Sequence, residues 1–254
     1  MFKRLKISKT VKVVLSAIVI FSFIAFANRE YSEEVCNDVI VDIENQQENY
    51  YVDKNDVIKL LNQGGEDVVI GKSFKLVNLK EIENRIIASP YIKETEVFKD
   101  LKGNLIVKVN LRRPIARIIR SGKKDAYISE EGEIMPVSEK YNSRVVLISG
   151  KGAEKLAISE TSLVQTKPTL LELIEFVQGD DFWKAQIAQI DIDQRGDVVL
   201  YPQVTKQYIE FGQIDELEEK FKKLEIFYKR ILPLKGWNYY DKVNLMYKGQ
   251  IIAD

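Results

Sequence analysis

Two pairs of aspartates stand at spacings that suit acid–base chemistry: Asp180 beside Asp181, and Asp191 two residues before Asp193. Paired carboxylates can cleave a glycosidic bond, one donating a proton while the other serves as base or nucleophile. Asp191 and Asp193, however, alternate with Ile190 and Ile192, the pattern of a strand with one wet face. The chain has no histidine, which removes Ser-His-Asp and Cys-His nucleophiles and the commonest transition-metal ligand. Its single cysteine, Cys36, can form no internal disulfide and lacks the small apolar residues that precede a lipid-modified cysteine. It reads as an idle thiol, with an intermolecular bridge as the alternative. No Walker loop, G-x-G-x-x-G or G-x-S-x-G occurs. The expectation is a chain that is not an enzyme, with no cofactor, no metal and no small-molecule substrate.

Charge narrows the partners. Basic and acidic residues balance at 38 each, and no Lys/Arg cluster outside the N-terminus resembles a stripe that would track phosphates, so nucleic acid is not an expected partner. The N-terminus itself is basic, with Lys3, Arg4, Lys6, Lys9 and Lys12 ahead of an uncharged run from Val13 to Ala27. A bilayer core of roughly 30 Å asks for about 20 apolar residues and tolerates about 17, which the run approaches once Thr10, Val11 and a snorkelling Lys12 are included. Ala25-Phe26-Ala27 also fits a signal-peptidase site, so cleavage is the rival reading. Glu30, Glu33, Glu34, Asp38, Asp42 and Glu44 crowd the far side, which keeps the N-terminus in the cytoplasm.

The rest of the chain must supply the architecture. Val39–Ile43 reads as a strand. Asp53 caps a first helix that Gly64-Gly65 stops, and Asn78 with Glu81 opens a second that ends at Ser89-Pro90. Glu94–Phe98 and the alternating Leu105–Leu111 are strands joined at Gly103-Asn104. This β-α-α-β-β order is a small α+β layer. Arg113-Pro114 follows as a rigid inter-domain bend, since proline fixes its own φ and keeps its predecessor extended.

Beyond the bend, Tyr127–Pro136 is a hairpin with Gly132 at its turn, Val145–Ile148 is an apolar run, and Leu170, Leu173, Ile174 and Val177 mark a helix opened near Thr166-Lys167-Pro168. A second hairpin, Ile187–Asp193 with Val198–Tyr201, precedes a strand at Tyr208–Phe211. Asp215 and Glu218 are expected to cap a long helix whose Leu217, Phe221, Leu224, Phe227 or Tyr228, and Ile231 recur at helical spacing. Val243, Leu245 and Tyr247 share a final strand face that runs on to Ile251-Ile252.

The stretch Leu105–Ala116, an alternating strand running into Arg112-Arg113-Pro114-Ile115-Ala116, resembles the last POTRA strand and its E-R-x-P-x-A-like continuation in the bacterial FtsQ/DivIB division family. Asn110 or Leu111 stands in place of the acidic residue. Tyr127-Ile128 with Gly132 is similar to that family's Y-I-D-x-x-G, and Val243–Tyr247 to its V-D-L-R-Y. The resemblance implies an α+β protein with an N-terminal transmembrane helix, a POTRA-like β-α-α-β-β domain, and a mixed C-terminal β domain with amphipathic helices. The expected layout is a cytoplasmic tail at 1–12, transmembrane helix at 13–27, linker at 28–37, POTRA-like domain at 38–113 and β domain at 114–254.

The same resemblance implies a non-enzymatic, bitopic scaffold of the bacterial cytoplasmic membrane, found at the division septum. It would recruit an FtsB/FtsL-like pair and, through it, the septal wall synthase. Strand addition at a sheet edge is the physical means, and Tyr247, Lys248, Gly249, Gln250, Ile251 and Ile252 are the expected partner-binding residues. An internal last strand is the alternative for that stretch. Two other functions share parts of the pattern: a POTRA-type polypeptide-transport or outer-membrane assembly factor, which would need a barrel after its POTRA units, and a secreted carboxylate-dependent wall hydrolase.

Overall fold

A computed structural model describes residues 9–30, 34–47, 49–65, 67–156 and 162–254. The chain divides into two compact units, one holding the residues up to Glu44 together with Val52–Asn110, the other Asn45–Tyr51 together with Leu111–Asp254.

The first unit begins with helix α1, Lys9–Glu30. Every side chain described along it, from 10 to 24, is exposed, including Val13, Leu15, Ile18, Phe21 and Phe23. The expected membrane span is therefore a helix, yet among the described residues no helix is long and apolar enough to cross a membrane. Lys3, Arg4 and Lys6 lie outside the described residues.

Strand β1 (Val39–Glu44), helices α2 (Lys54–Leu61) and α3 (Leu79–Ile87), and strands β2 (Ile92–Lys99) and β3 (Leu105–Leu111) follow in the expected order. Both helices begin where their caps dictate. The Asp53 carboxylate accepts from Asp56 N–H (3.0 Å) while Asp56 accepts from Asp53 N–H (3.0 Å), and Asn78 Oδ1 accepts from Glu81 N–H (3.2 Å). The sheet order is β1-β3-β2, with β1 parallel to β3. Central β3 buries Leu105, Val107 and Val109, and the helices bring Val57, Leu61, Ile82 and Ile86 to the core.

Cys36 belongs to this core at 1% exposure, with its Sγ toward Asp38 O (3.5 Å). Burial pushes its thiol up from the ordinary cysteine range. The intermolecular bridge that the sequence left open would therefore need this unit to open first.

In the second unit, β4 (Pro114–Ile118), β5 (Ala126–Ser129), β6 (Ile134–Pro136) and β7 (Val146–Ser149) lead into helices α4 (Lys151–Leu156), α5 (Leu163–Thr166), α6 (Pro168–Gly179) and α7 (Asp181–Gln186). Strands β8 (Ile187–Ile192), β9 (Val198–Pro202) and β10 (Tyr208–Gly212) come next. They are followed by α8 (Leu217–Ile226), a π turn at Phe227–Ile231, α9 (Leu232–Lys235), β11 (Lys242–Asn244) and β12 (Ile252–Ala253). Nine strands form one mixed sheet in the order β12-β11-β10-β9-β8-β7-β4-β5-β6. The neighbours β4/β7, β7/β8 and β10/β11 are parallel, so each pair needs a crossover: the β5–β6 hairpin, helices α4–α7, and helices α8–α9 respectively. Leu170, Leu173, Ile174, Val177, Phe221 and Leu224 pack with sheet residues such as Ile118, Ile148, Ile190 and Leu200 in one core. At the end of β7 the chain must have no side chain: a Cβ on Gly150 (φ +94) would lie 2.2 Å from Ile192 O.

Two expectations change at the long helix. Asp215 is not its cap. The helix starts at Leu217 behind Glu216, whose φ is +46 and whose side chain makes no cap bond, and Asp215 instead pairs with buried Lys220. That ammonium also donates to Gln213 O (2.7 Å) and stands over the Phe211 ring (4.8 Å), so the buried charge is fully engaged. Further along, the π turn brings both Phe227 and Tyr228 into the core, where regular helical spacing allowed one of them. Leu232 N–H reaches back five residues to Phe227 O. The widened turn stands ahead of Pro233, whose ring would collide with the carbonyl four residues back in a regular helix.

Candidate functional site

Three of the four aspartates with catalytic spacing have structural employment, and the fourth, Asp181, is an exposed residue in the first turn of α7. Asp180 Oδ1 accepts from Phe182 N–H (2.9 Å) and Trp183 N–H (3.0 Å), capping α7. Asp191 accepts from Ser149 Oγ across the parallel β7/β8 pair. Asp193 Oδ1 accepts from Arg195 N–H (2.7 Å) and Asp197 N–H (2.9 Å), which closes the β8–β9 turn. Ile190 and Ile192 are buried, as the alternation requires. Asp180→Ala is expected to lower the second unit's unfolding free energy by about 1 kcal/mol, the usual value of a lost N-cap, measured by urea denaturation.

The chain's last strand lies at an edge of the nine-stranded sheet. It is shorter than its sequence suggested. Strand β11 stops at Asn244, Gly249 takes φ +68 in a turn, and only Ile252 and Ala253 form β12. Tyr247 and Lys248 therefore project from the turn rather than from a strand, Tyr247 being 49% exposed. The turn is held by α8: Lys223 Nζ donates to Leu245 O (3.1 Å) and Tyr247 O (2.9 Å), and Gly249 N–H donates to Glu219 Oε1 (3.2 Å). Ile251 is partly buried against the core, whereas Ile252 is 44% exposed.

The geometry of β12 decides which main-chain groups it offers. Lys242 and Asp254 exchange both bonds, Asp254 N–H donating to Lys242 O (3.2 Å) and Lys242 N–H to Asp254 O (3.0 Å). Hydrogen-bonded and non-bonded positions alternate along an antiparallel pair. With Asn244 opposite Ile252 and Val243 opposite Ala253, Ile252 directs its amide and carbonyl toward β11. Ala253 directs its own away from the sheet, and the same alternation carried one residue back from the strand turns those of Ile251 outward too. At the opposite edge, β6 ends in Pro136, which has no N–H to offer.

Between β10 and β11, the side chains of Glu210 and Lys242 pair at 3.1 Å and Asn244 Nδ2 donates to Glu210 Oε2 (2.6 Å). The bond from Lys242 Nζ to the Glu210 carboxylate holds the Lys242 ammonium above the ordinary lysine range. Ala253, Lys223 and Glu219 were not singled out in the sequence. Lys223 and Glu219 lie on a helix far upstream, and nothing local marks them.

Arg113 is exposed and its carbonyl accepts from Glu130 N–H (2.8 Å). Pro114 opens β4, with an irregular register before Ala116, so the bend residue is also the first residue of a strand, where a missing N–H is tolerated.

A family model described as FtsQ/DivIB, C-terminal related, matches residues 113–254, and one described as a POTRA-like domain matches residues 34–110. No curated protein matches the chain.

Proposed function

Since the chain belongs to the FtsQ/DivIB C-terminal related family, whose domains are those of a non-catalytic cell-division scaffold, we propose that it gathers division proteins at the bacterial cytoplasmic membrane by taking an extended partner segment along β12. The observation that carries this reading is the edge strand β12, whose Ala253 turns its N–H and C=O away from the sheet, with Ile251 directly before the strand and with Tyr247 and Ile252 exposed. An added strand satisfies the outward-facing N–H and C=O groups and lays its side chains against that apolar surface. The family resemblance supplies the partner: an FtsB/FtsL-like pair, with the septal wall synthase recruited through it. Arg113-Pro114, near the start of the second unit, is the proposed bend between the POTRA-like and β domains.

Helix α1 is the membrane anchor of the proposal. Its uncharged stretch Val13–Ala27 exposes Val, Leu, Ile and Phe side chains that call for apolar surroundings such as a bilayer, with the acidic residues beyond it outside the cytoplasm. Confinement to the same membrane raises the effective concentration of other anchored proteins. The test has two arms. Full-length protein should stay with membranes through an alkaline wash, and in detergent it should bind the extracytoplasmic part of the FtsB/FtsL-like pair at one-to-one stoichiometry by calorimetry. Release into the wash would refute the anchor, and absence of binding would refute the scaffold's partner.

A further inference from the structure

The second unit carries a cleft of about 570 Å³, separate from the β12 edge, whose lining includes Asn49, Arg113, Glu130, Asn142, Arg144 and Lys184. That volume is within the range of small-ligand sites.

One residue of its lining, Asn49, lies between two anchored residues, Asn45 and Tyr51. Asn45 Nδ2 donates to Leu111 O (2.9 Å) and its Oδ1 accepts from Leu111 N–H (3.2 Å), which pins one end. At the other end buried Tyr51 sets its ring edgewise to Tyr127 (5.8 Å) and Tyr141 (5.2 Å) and donates its hydroxyl to Ser143 Oγ (2.8 Å). Burial raises the Tyr51 phenol above its ordinary range, so it remains a neutral donor.

This framework holds Asn49 at 3% exposure with its Nδ2 lacking any hydrogen-bond partner among the described residues. A buried donor without an acceptor is uncommon in folded proteins. Asn142 adds a second donor. Its Oδ1 already accepts from Tyr127 Oη (2.6 Å) and Arg117 Nη1 (2.8 Å), which leaves the amide nitrogen to donate. Arg144 and Lys184, both exposed, add two cations to a lining that also holds Arg113 and Glu130.

We infer that this cleft binds a phosphate group. The two amide donors and the cations of the lining offer more N–H groups than the two oxygens of a carboxylate can take up, and the additional acceptor oxygens of a phosphate can meet them. The cleft is larger than phosphate alone, so the group can be terminal, on a small molecule, or internal, as the diester of a lipid headgroup or polymer.

Calorimetry on the full chain in phosphate-free detergent buffer, titrated with inorganic phosphate, glycerol phosphate and a soluble glycerophosphodiester, tests the inference. Saturable one-to-one binding is expected, weakening as salt rises and falling at least tenfold in the double variant Arg144→Gln, Lys184→Gln. Both side chains are exposed, so that variant should retain the wild-type thermal unfolding midpoint. Binding of the diester assigns the site to a headgroup or polymer, and binding of inorganic phosphate and glycerol phosphate alone assigns it to a terminal phosphate, which carries the larger charge near neutral pH. No saturable binding of any of the three, or equal affinity in wild type and the double variant, would overturn the inference.

Discussion

Ile251→Pro should weaken capture of the partner segment by well over tenfold while Ile251→Ala weakens it far less. The contrast isolates one main-chain group. Both variants lose the packing of the partly buried isoleucine against the core, but only proline deletes the amide that points away from the sheet. Ile252→Pro should behave differently, because that amide faces β11 and its loss detaches β12 itself, lowering stability as well as binding. Tyr247→Ala removes an exposed, rigid aromatic next to the edge and should cost on the order of 2 kcal/mol of affinity, the threshold of a hot spot, with unfolding unchanged. Lys248→Ala should matter little: its nearest acid, Glu216, is 3.7 Å away, and both side chains are exposed. Titration of each variant with the FtsB/FtsL-like pair, beside thermal unfolding, checks the set. Unchanged affinity in Ile251→Pro would remove β12 as the docking edge.

The largest stability loss is expected at Phe221. Its ring stacks on Phe176 (4.5 Å, interplanar 28°), meets Trp183 edgewise (5.0 Å) and leans on Phe211 (5.5 Å). It therefore joins α8 to α6, α7 and β10 at one point. Truncating a buried phenylalanine typically costs about 3–5 kcal/mol through lost transfer energy and the cavity left behind, and folded domains are stable by only about 5–15 kcal/mol. Phe221→Ala should accordingly shift the second unit's denaturation midpoint far down, with Phe221→Leu intermediate. A midpoint within error of wild type would mean that the core closes over the gap, against the packing described above.

The first unit was legible because its determinants are local. Asp53 and Asn78 cap their own helices, and Leu105–Leu111 alternates residue by residue. The second unit yielded its hairpins and its principal helices but not its sheet order. Parallel neighbours such as β7 and β8 join residues around Leu147 to residues around Gln189, and no short-range pattern records that pairing. Strand β4 was hidden behind the bend at Pro114. Helices α4, α5 and α7 are too short to display a period, although Asp180 marked the start of α7 while being read as a candidate acid. The π turn defeated a strict helical period, which is why Phe227 and Tyr228 looked like alternatives. At the candidate site the edge position was anticipated, but the strand was overextended. Tyr247 has strand propensity, yet Lys223 and Glu219 hold Tyr247–Gly249 in a turn, and that tertiary hold overrides propensity.

Amide hydrogen exchange at the C-terminus addresses the docking edge most directly. In the free protein Ile251 and Ala253 should exchange much faster than Ile252, whose N–H is directed toward β11. On saturation with the FtsB/FtsL-like pair, the account predicts strong protection of Ile251 and Ala253, with Ile252 little changed. Full binding with Ile251 and Ala253 still exchanging at their free rates would contradict strand addition at β12.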